Sequence, residues 1–288
     1  MDTMDYHLIR ERFLGVCESR GDIVSSVVFG SQARADGMSD EWSDLDLLTF
    51  CDDPNRFLVD MDWLREIGDI LIWFFEPNVF GCGTEIRVLF AGGLDVDFLF
   101  FPASDATQIM SHGEVISWIK GGNEIIVDRN GRLEQLVRAV LFASQRPDTP
   151  PSLSEYQNLV GDFQFHTVWT IKKLLRGELL TAKSCCDSYM KELLLRMAMW
   201  GARSRTNGDP FPYYGSRYFE RWAEPWLRRG LANAYAHYDA DDLIRALDST
   251  SRLFSRIARE TGEALGYEYP ARYEEHSRRI VTELMSSR

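Results

Sequence analysis

Three prolines fall within the seven residues Arg146-Pro147-Asp148-Thr149-Pro150-Pro151-Ser152, and no hydrophobic period runs through them. Proline fixes φ and removes a backbone donor, so this stretch continues neither a helix nor a sheet and reads as an extended linker. The chain obeys different periods on either side of it. Before it, short β-rich runs at 24–29, 44–50, 69–76, 85–91, 94–101 and 125–128 alternate with turn residues. Helical spacing appears there over 4–18 and 57–68, and the polar stretch 32–40 reads as a helix or turn. Phe90-Ala91-Gly92-Gly93-Leu94 reads as a hairpin connection. After the linker, long apolar stripes at helical spacing mark 154–176, 185–200 and 241–266. The expectation is an α+β fold: a mixed β-sheet with flanking helices over 1–145, then a helical bundle over 153–288. No internal repeat or low-complexity tract is present.

The chemistry concentrates in the first part. Val27-Val28-Phe29-Gly30-Ser31 is followed by Trp42-Ser43-Asp44-Leu45-Asp46. Alternate strand residues point the same way, so Asp44 and Asp46 share a face. Two adjacent carboxylates repel unless a cation lies between them, and Mg²⁺ carrying a nucleoside triphosphate meets that need. Gly30 lets backbone N–H groups approach phosphate oxygens, and Ser31 adds a hydroxyl donor. Downstream, Leu94-Asp95-Val96-Asp97-Phe98 puts two more carboxylates on one face of a strand. Either Asp97 or Asp95 can supply a third metal ligand and accept a proton from an attacking hydroxyl. The pattern points to nucleotidyl transfer; solvated aspartates beside a surface turn are the plainer alternative.

Composition narrows the partners. The net charge of −12 over 288 residues argues against a nucleic-acid partner, which calls for a basic surface, and suits cationic small molecules and Mg²⁺. The five cysteines (Cys17, Cys51, Cys82, Cys185, Cys186) show neither disulfide-framework nor zinc spacing, and reduced thiols in a cytoplasmic protein are the simplest account. The charged first ten residues lack a signal-peptide apolar run, and no stretch is long and apolar enough for a membrane span.

At these residues the chain resembles the polymerase-β-like nucleotidyltransferase superfamily and, more closely, the aminoglycoside 6-adenylyltransferase (streptomycin adenylyltransferase) family. The shared order runs through Gly30-Ser31, Asp44-Leu45-Asp46, Trp63-Leu64, Gly68-Asp69-Ile70-Leu71-Ile72, Arg87-Val88-Leu89-Phe90 and Val96-Asp97-Phe98. It continues through Ile126-Val127-Asp128-Arg129-Asn130 and, in the second part, Asp162-Phe163, Lys172, Arg176 and Leu194-Leu195-Arg196-Met197. The resemblance implies Mg²⁺-dependent transfer of AMP from ATP onto a hydroxyl of an aminoglycoside, the chemistry of antibiotic resistance. It implies that Asp44, Asp46 and Asp97 form the metal and base cluster, favours Asp97 over Asp95, and makes the helical part an acceptor-binding domain. Gln32 departs from the family's Arg, with Arg34 as its substitute; Asp162 replaces a Glu, Gln164 a Trp, and Gly215-Ser216-Arg217 a Gly-Lys. A lincosamide or other small-molecule nucleotidyltransferase, or a nucleotide-binding regulatory or antitoxin-like protein without transfer, is the alternative.

The remaining residues carry weaker expectations. Lys172 reaches the triphosphate or snorkels at the surface. Glu85, Glu76, Asp95 and Asp162 offer charge to acceptor amines or are simply solvated. His166 is more readily a packed or polar-face residue than a catalyst. Trp42 stacks on adenine or packs. Trp222, Trp226, Tyr213 and Tyr214 read as packing residues, and Arg228-Arg229 as solvent-facing.

Overall fold

The computed structural model describes residues 5–34, 40, 42–77, 80, 83–142, 150–206 and 217–286. Most of the linker, Cys82, Tyr213, Tyr214 and Gly215-Ser216 lie outside the described residues. The chain divides into two compact units, Met1–Gln145 and Arg146–Arg288.

In the first unit, α1 (Tyr6–Ser19) is capped by the Asp5 side chain, which accepts from the Leu8 N–H. It leads into β1 (Ile23–Phe29), a single 3₁₀ turn (Ser31–Ala33) and β2 (Leu45–Cys51). Two short helices follow, α2 (Asn55–Val59) and α3 (Asp62–Ile67), where periodicity alone predicts one helix over 57–68. The break falls at Asp60, which is extended and whose carboxylate accepts from the Asp62 N–H, the local bond by which aspartate competes with a helix. β3 (Ile70–Glu76), β4 (Thr84–Phe90) and β5 (Leu94–Pro102) form a meander. Then come α4 (Ala106–Met110), α5 (Gly113–Gly121), β6 (Asn123–Asp128) and α6 (Arg132–Phe142).

The six strands lie in the order β3-β4-β5-β2-β1-β6. Every pairing is antiparallel except β2 with β5, which run parallel. Alternation along each strand supplies two cores. On one face Leu45, Leu47, Val96, Phe98 and Phe100 meet Phe13 of α1, Phe57 of α2 and Trp63 of α3. On the other, Val27, Leu48, Phe50, Leu99 and Phe101 meet Ile109, Val115, Ile119 and Val137 from α4–α6. The outer strand β3 leaves Leu71, Ile72, Trp73, Phe74 and Phe75 exposed.

Among its described residues the second unit is built of helices joined by turns, with no strand. α7 (Leu153–Leu175) starts at a capping box in which Ser152 and Glu155 bond each other's backbone N–H. α8 (Leu179–Ser184) passes through a π turn (Cys185–Tyr189) into α9 (Met190–Ser204), so the helix expected from Cys185 opens on a wider turn. Short α10 (Phe219–Trp222) and α11 (Pro225–Leu231) precede α12 (Ala240–Leu265) and α13 (Ala271–Ser286). The core is built around Phe163 stacked on Phe254. Buried Lys191 donates to the Cys186 carbonyl and to Thr250, tying the π turn to α12.

Candidate active site

The site begins where β1 ends. Gly30 has φ +73°, and a Cβ there would lie 2.3 Å from Asp46 Oδ2. The position needs glycine both for its backbone angle and for the room it leaves the carboxylate. The turn that follows brings Ser31 back toward β2, where its hydroxyl contacts Asp44 Oδ1 at 2.9 Å and the Asp44 carbonyl at 3.2 Å. That hydroxyl therefore positions an acidic side chain. The approach to Asp44 is fastened by Gln32, which donates to the Ser43 carbonyl, and by Asp40, whose carboxylate accepts from Ser43 Oγ and the Trp42 N–H. Trp42 itself is exposed.

The parallel register of β2 and β5 pairs Asp46 with Asp97. Their side chains emerge on the same sheet face, and Asp44 joins them from the entry to β2. One ligand oxygen from each of Asp44, Asp46 and Asp97 lies within 4.8 Å of the others. At an effective dielectric near 20, unit charges at such a spacing repel by roughly 3 kcal/mol per pair. An all-carboxylate set of hard oxygens is the donor chemistry that Mg²⁺-type cations take, so the residues fit a divalent ion.

Sequence reasoning missed the cation already beside them. Arg87 on β4 lies opposite Asp97. Its Nε donates to Asp97 Oδ1 at 2.8 Å and its terminal nitrogen to Oδ2 at 2.5 Å. The same Nε is 3.2 Å from Glu76 and 4.0 Å from Glu85. The bond to Asp97 raises the Arg87 pKa. Asp97 is almost fully buried; burial raises its proton affinity and Arg87 opposes that rise. Burial, aided by the charges of Asp97 and Glu76, pushes Glu85 up to about 7. Asp95 shares the Asp97 face and is raised by burial against the pull of Arg87; its backbone N–H donates to the Tyr6 hydroxyl. It stands outside the triad of closely spaced ligand oxygens.

Arg34 follows the Ser31 turn and is half-buried. Gly122, after α5, packs so close to this segment that a Cβ would lie 2.2 Å from the Ala33 carbonyl oxygen and 2.7 Å from Arg34 Cα. Asp162 and Lys172 belong to α7 of the second unit. Asp162 holds His166 Nδ1 at 2.8 Å and accepts from the Tyr189 hydroxyl. His166 and Tyr189 line an open cavity of about 600 Å³ with Trp169 and Glu192. Exposed Lys172 lines a separate one of about 380 Å³ with Val168 and Tyr273.

The sequence profile of the streptomycin adenylyltransferase family matches residues 6–284. The chain belongs to that family. As an adenylyltransferase it is 20% identical over 248 residues to the aminoglycoside 6-adenylyltransferase of Bacillus subtilis (strain 168), covering 84% of each chain. It is likewise 20% identical over 262 residues to the Campylobacter jejuni enzyme of the same name, covering 88% of this chain and 86% of that one. Among solved structures, an aminoglycoside 6-adenyltransferase from Bacillus subtilis aligns over 98% of this chain and 99% of its own at 17% identity, with a TM-score of 0.45. Family membership makes ATP the expected co-substrate of this adenylyltransferase and a divalent ion the expected occupant of an acidic triad. Among the described residues no helix is long and apolar enough to cross a membrane.

Proposed function

We propose that the protein transfers AMP from ATP, with Mg²⁺, to a hydroxyl of an aminoglycoside, as in resistance to streptomycin-like antibiotics. The observation that carries this reading is the convergence of Asp44, Asp46 and Asp97 beside the Gly30 turn in a chain of this family. Mg²⁺, when bound, neutralises triphosphate charge and polarises the phosphate under attack. Asp44, Asp46 and Asp97 would hold it, and Ser31 keeps Asp44 aimed. Gly30 admits the phosphates to the backbone, with Arg34 as their positive partner. The acceptor oxygen bonds to the α-phosphorus, the bond from that phosphorus to the β-phosphate's bridging oxygen breaks, and pyrophosphate leaves. The hydroxyl proton passes to a carboxylate, for which we choose Asp97 over Asp95 because Asp97 stands within the ligand triad and Asp95 does not. Glu85 and Asp95 offer negative charge to the acceptor's amines. A cytoplasmic setting, where ATP is available, suits this chemistry.

The experiment combines protein, ATP and Mg²⁺ with a panel of aminoglycosides and a lincosamide, following pyrophosphate release and a mass gain of one AMP. Transfer to an aminoglycoside is expected. Asp97→Asn should lower turnover by about 10³-fold while nucleotide affinity stays within several-fold. Transfer only to the lincosamide would reassign the acceptor. Tight ATP binding with no transfer to any acceptor would replace the enzyme reading with a regulatory one.

A further inference from the structure

One guanidinium faces an excess of carboxylates on the β4–β5 face. Arg87 forks both oxygens of Asp97, while Glu76 waits 3.2 Å from its Nε and Glu85 at 4.0 Å. Asp97 is also the carboxylate that completes the triad with Asp44 and Asp46. The structure therefore shows the charge of Asp97 already compensated by the protein itself. A forked pair fixes both oxygens in one plane and engages lone pairs that an incoming cation also needs. A third of the Arg87 side chain is exposed, against 4% of Asp97, so the arginine has room to turn where the aspartate has none.

We propose that Arg87 is an internal counter-cation: it holds Asp97 when no divalent ion is present, competes with that ion for the carboxylate, and turns to Glu76 and Glu85 when the ion binds. This rests on the reading of the triad as a divalent-ion site. The receiving positions are already in place. Glu85 is largely enclosed, and among the described residues its one ion pair is with Arg87 at 4.0 Å, so it gains from a closer approach. An arginine that served only to register β4 against β5 would need neither glutamate. In this arrangement Arg87 is a positioning residue, and it sets the threshold concentration at which the ion displaces it.

The test is Mn²⁺ binding to the full chain without nucleotide, measured by calorimetry and by paramagnetic water relaxation, with circular dichroism as the check on folding. Arg87→Met should bind Mn²⁺ about tenfold more tightly than the unaltered protein, because the competitor is gone. Arg87→Lys, a point charge that cannot fork, should fall between the two. The double change Glu76→Gln with Glu85→Gln should weaken binding severalfold, because the displaced arginine has nowhere to go. Unchanged or weaker Mn²⁺ binding in folded Arg87→Met would overturn the proposal. If that variant does not fold, Arg87→Lys decides it: affinity no higher than that of the unaltered protein overturns it equally. A different failure would mark the site reading itself: no stoichiometric Mn²⁺ on the unaltered protein, and no effect of Asp44→Asn.

Discussion

Gly30 answers to two demands at once, a left-handed backbone angle and an absent Cβ that would strike Asp46. Gly30→Ala meets a backbone penalty of about 1–3 kcal/mol, because positive φ with ψ −149° is open to little but glycine, and must also displace the carboxylate. We expect a lower melting temperature and Mn²⁺ affinity at least tenfold weaker, by calorimetry. Glu85 permits a pH experiment. Its pKa of about 7 in the fold lies above an ordinary glutamate's, so the folded protein holds this proton more tightly than the unfolded chain does. Stability from this group is thus lost as pH rises from about 4.5 to 7. Glu85→Gln removes the loss: in chelator-treated protein its advantage should be small at pH 4.5, grow to pH 7 and level off at about 1–2 kcal/mol, allowing for partial solvent contact. Thermal melts across that range check it. The carboxylates themselves were legible in the sequence, because period-two alternation puts Asp44 with Asp46 and Asp95 with Asp97. Arg87 was legible in principle. A hairpin closing Phe90 on Leu94 pairs residues whose numbers share one sum, which sets Arg87 opposite Asp97. What hid it is that strand periodicity reports the face of a residue and not its neighbour across the ladder.

At the scale of elements, the site depends on parts that contribute no ligand. The end of α5 presses Gly122 against Ala33 and Arg34, and so shapes the turn that carries Gly30 and Ser31. Gly122→Ala should loosen that turn. Mn²⁺ affinity should fall several-fold and melting drop by several degrees, whereas Gly131→Ala, at another positive φ but with open space around it, should lower stability alone. Paired melts and Mn²⁺ titrations separate the two. The strands of the first unit and the helices α7, α9 and α12 of the second were readable from their periods. α4 and α5 were missed because their apolar residues sit in short segments broken by Ser111, His112 and Gly113. α6 was missed although Leu133, Val137 and Val140 recur at helical spacing, since the helix spans only about three turns. α13 offered little signal, because Ser277 is its one buried residue.

At the scale of the molecule, each unit has cores of its own. Phe13, Trp63 and Phe98 serve the first, and Phe163, Met197 and Phe254 the second. Residues 1–145 expressed alone should therefore fold with a cooperative melt and bind Mn²⁺ within a few-fold of the full chain; a fragment that stays unfolded by circular dichroism would contradict this. The two-part organisation was visible in the linker prolines, whereas the parallel pairing of β2 with β5 was not: nothing local tells a strand which distant partner it will lie beside. That pairing has a consequence for synthesis on the ribosome. Asp46 emerges early, but the strand that brings Asp97 alongside it comes only after the β3–β4 excursion has been made. A growing chain therefore has no three-oxygen clamp until that detour closes, and it can gain one before any of the long helices beyond the prolines exist.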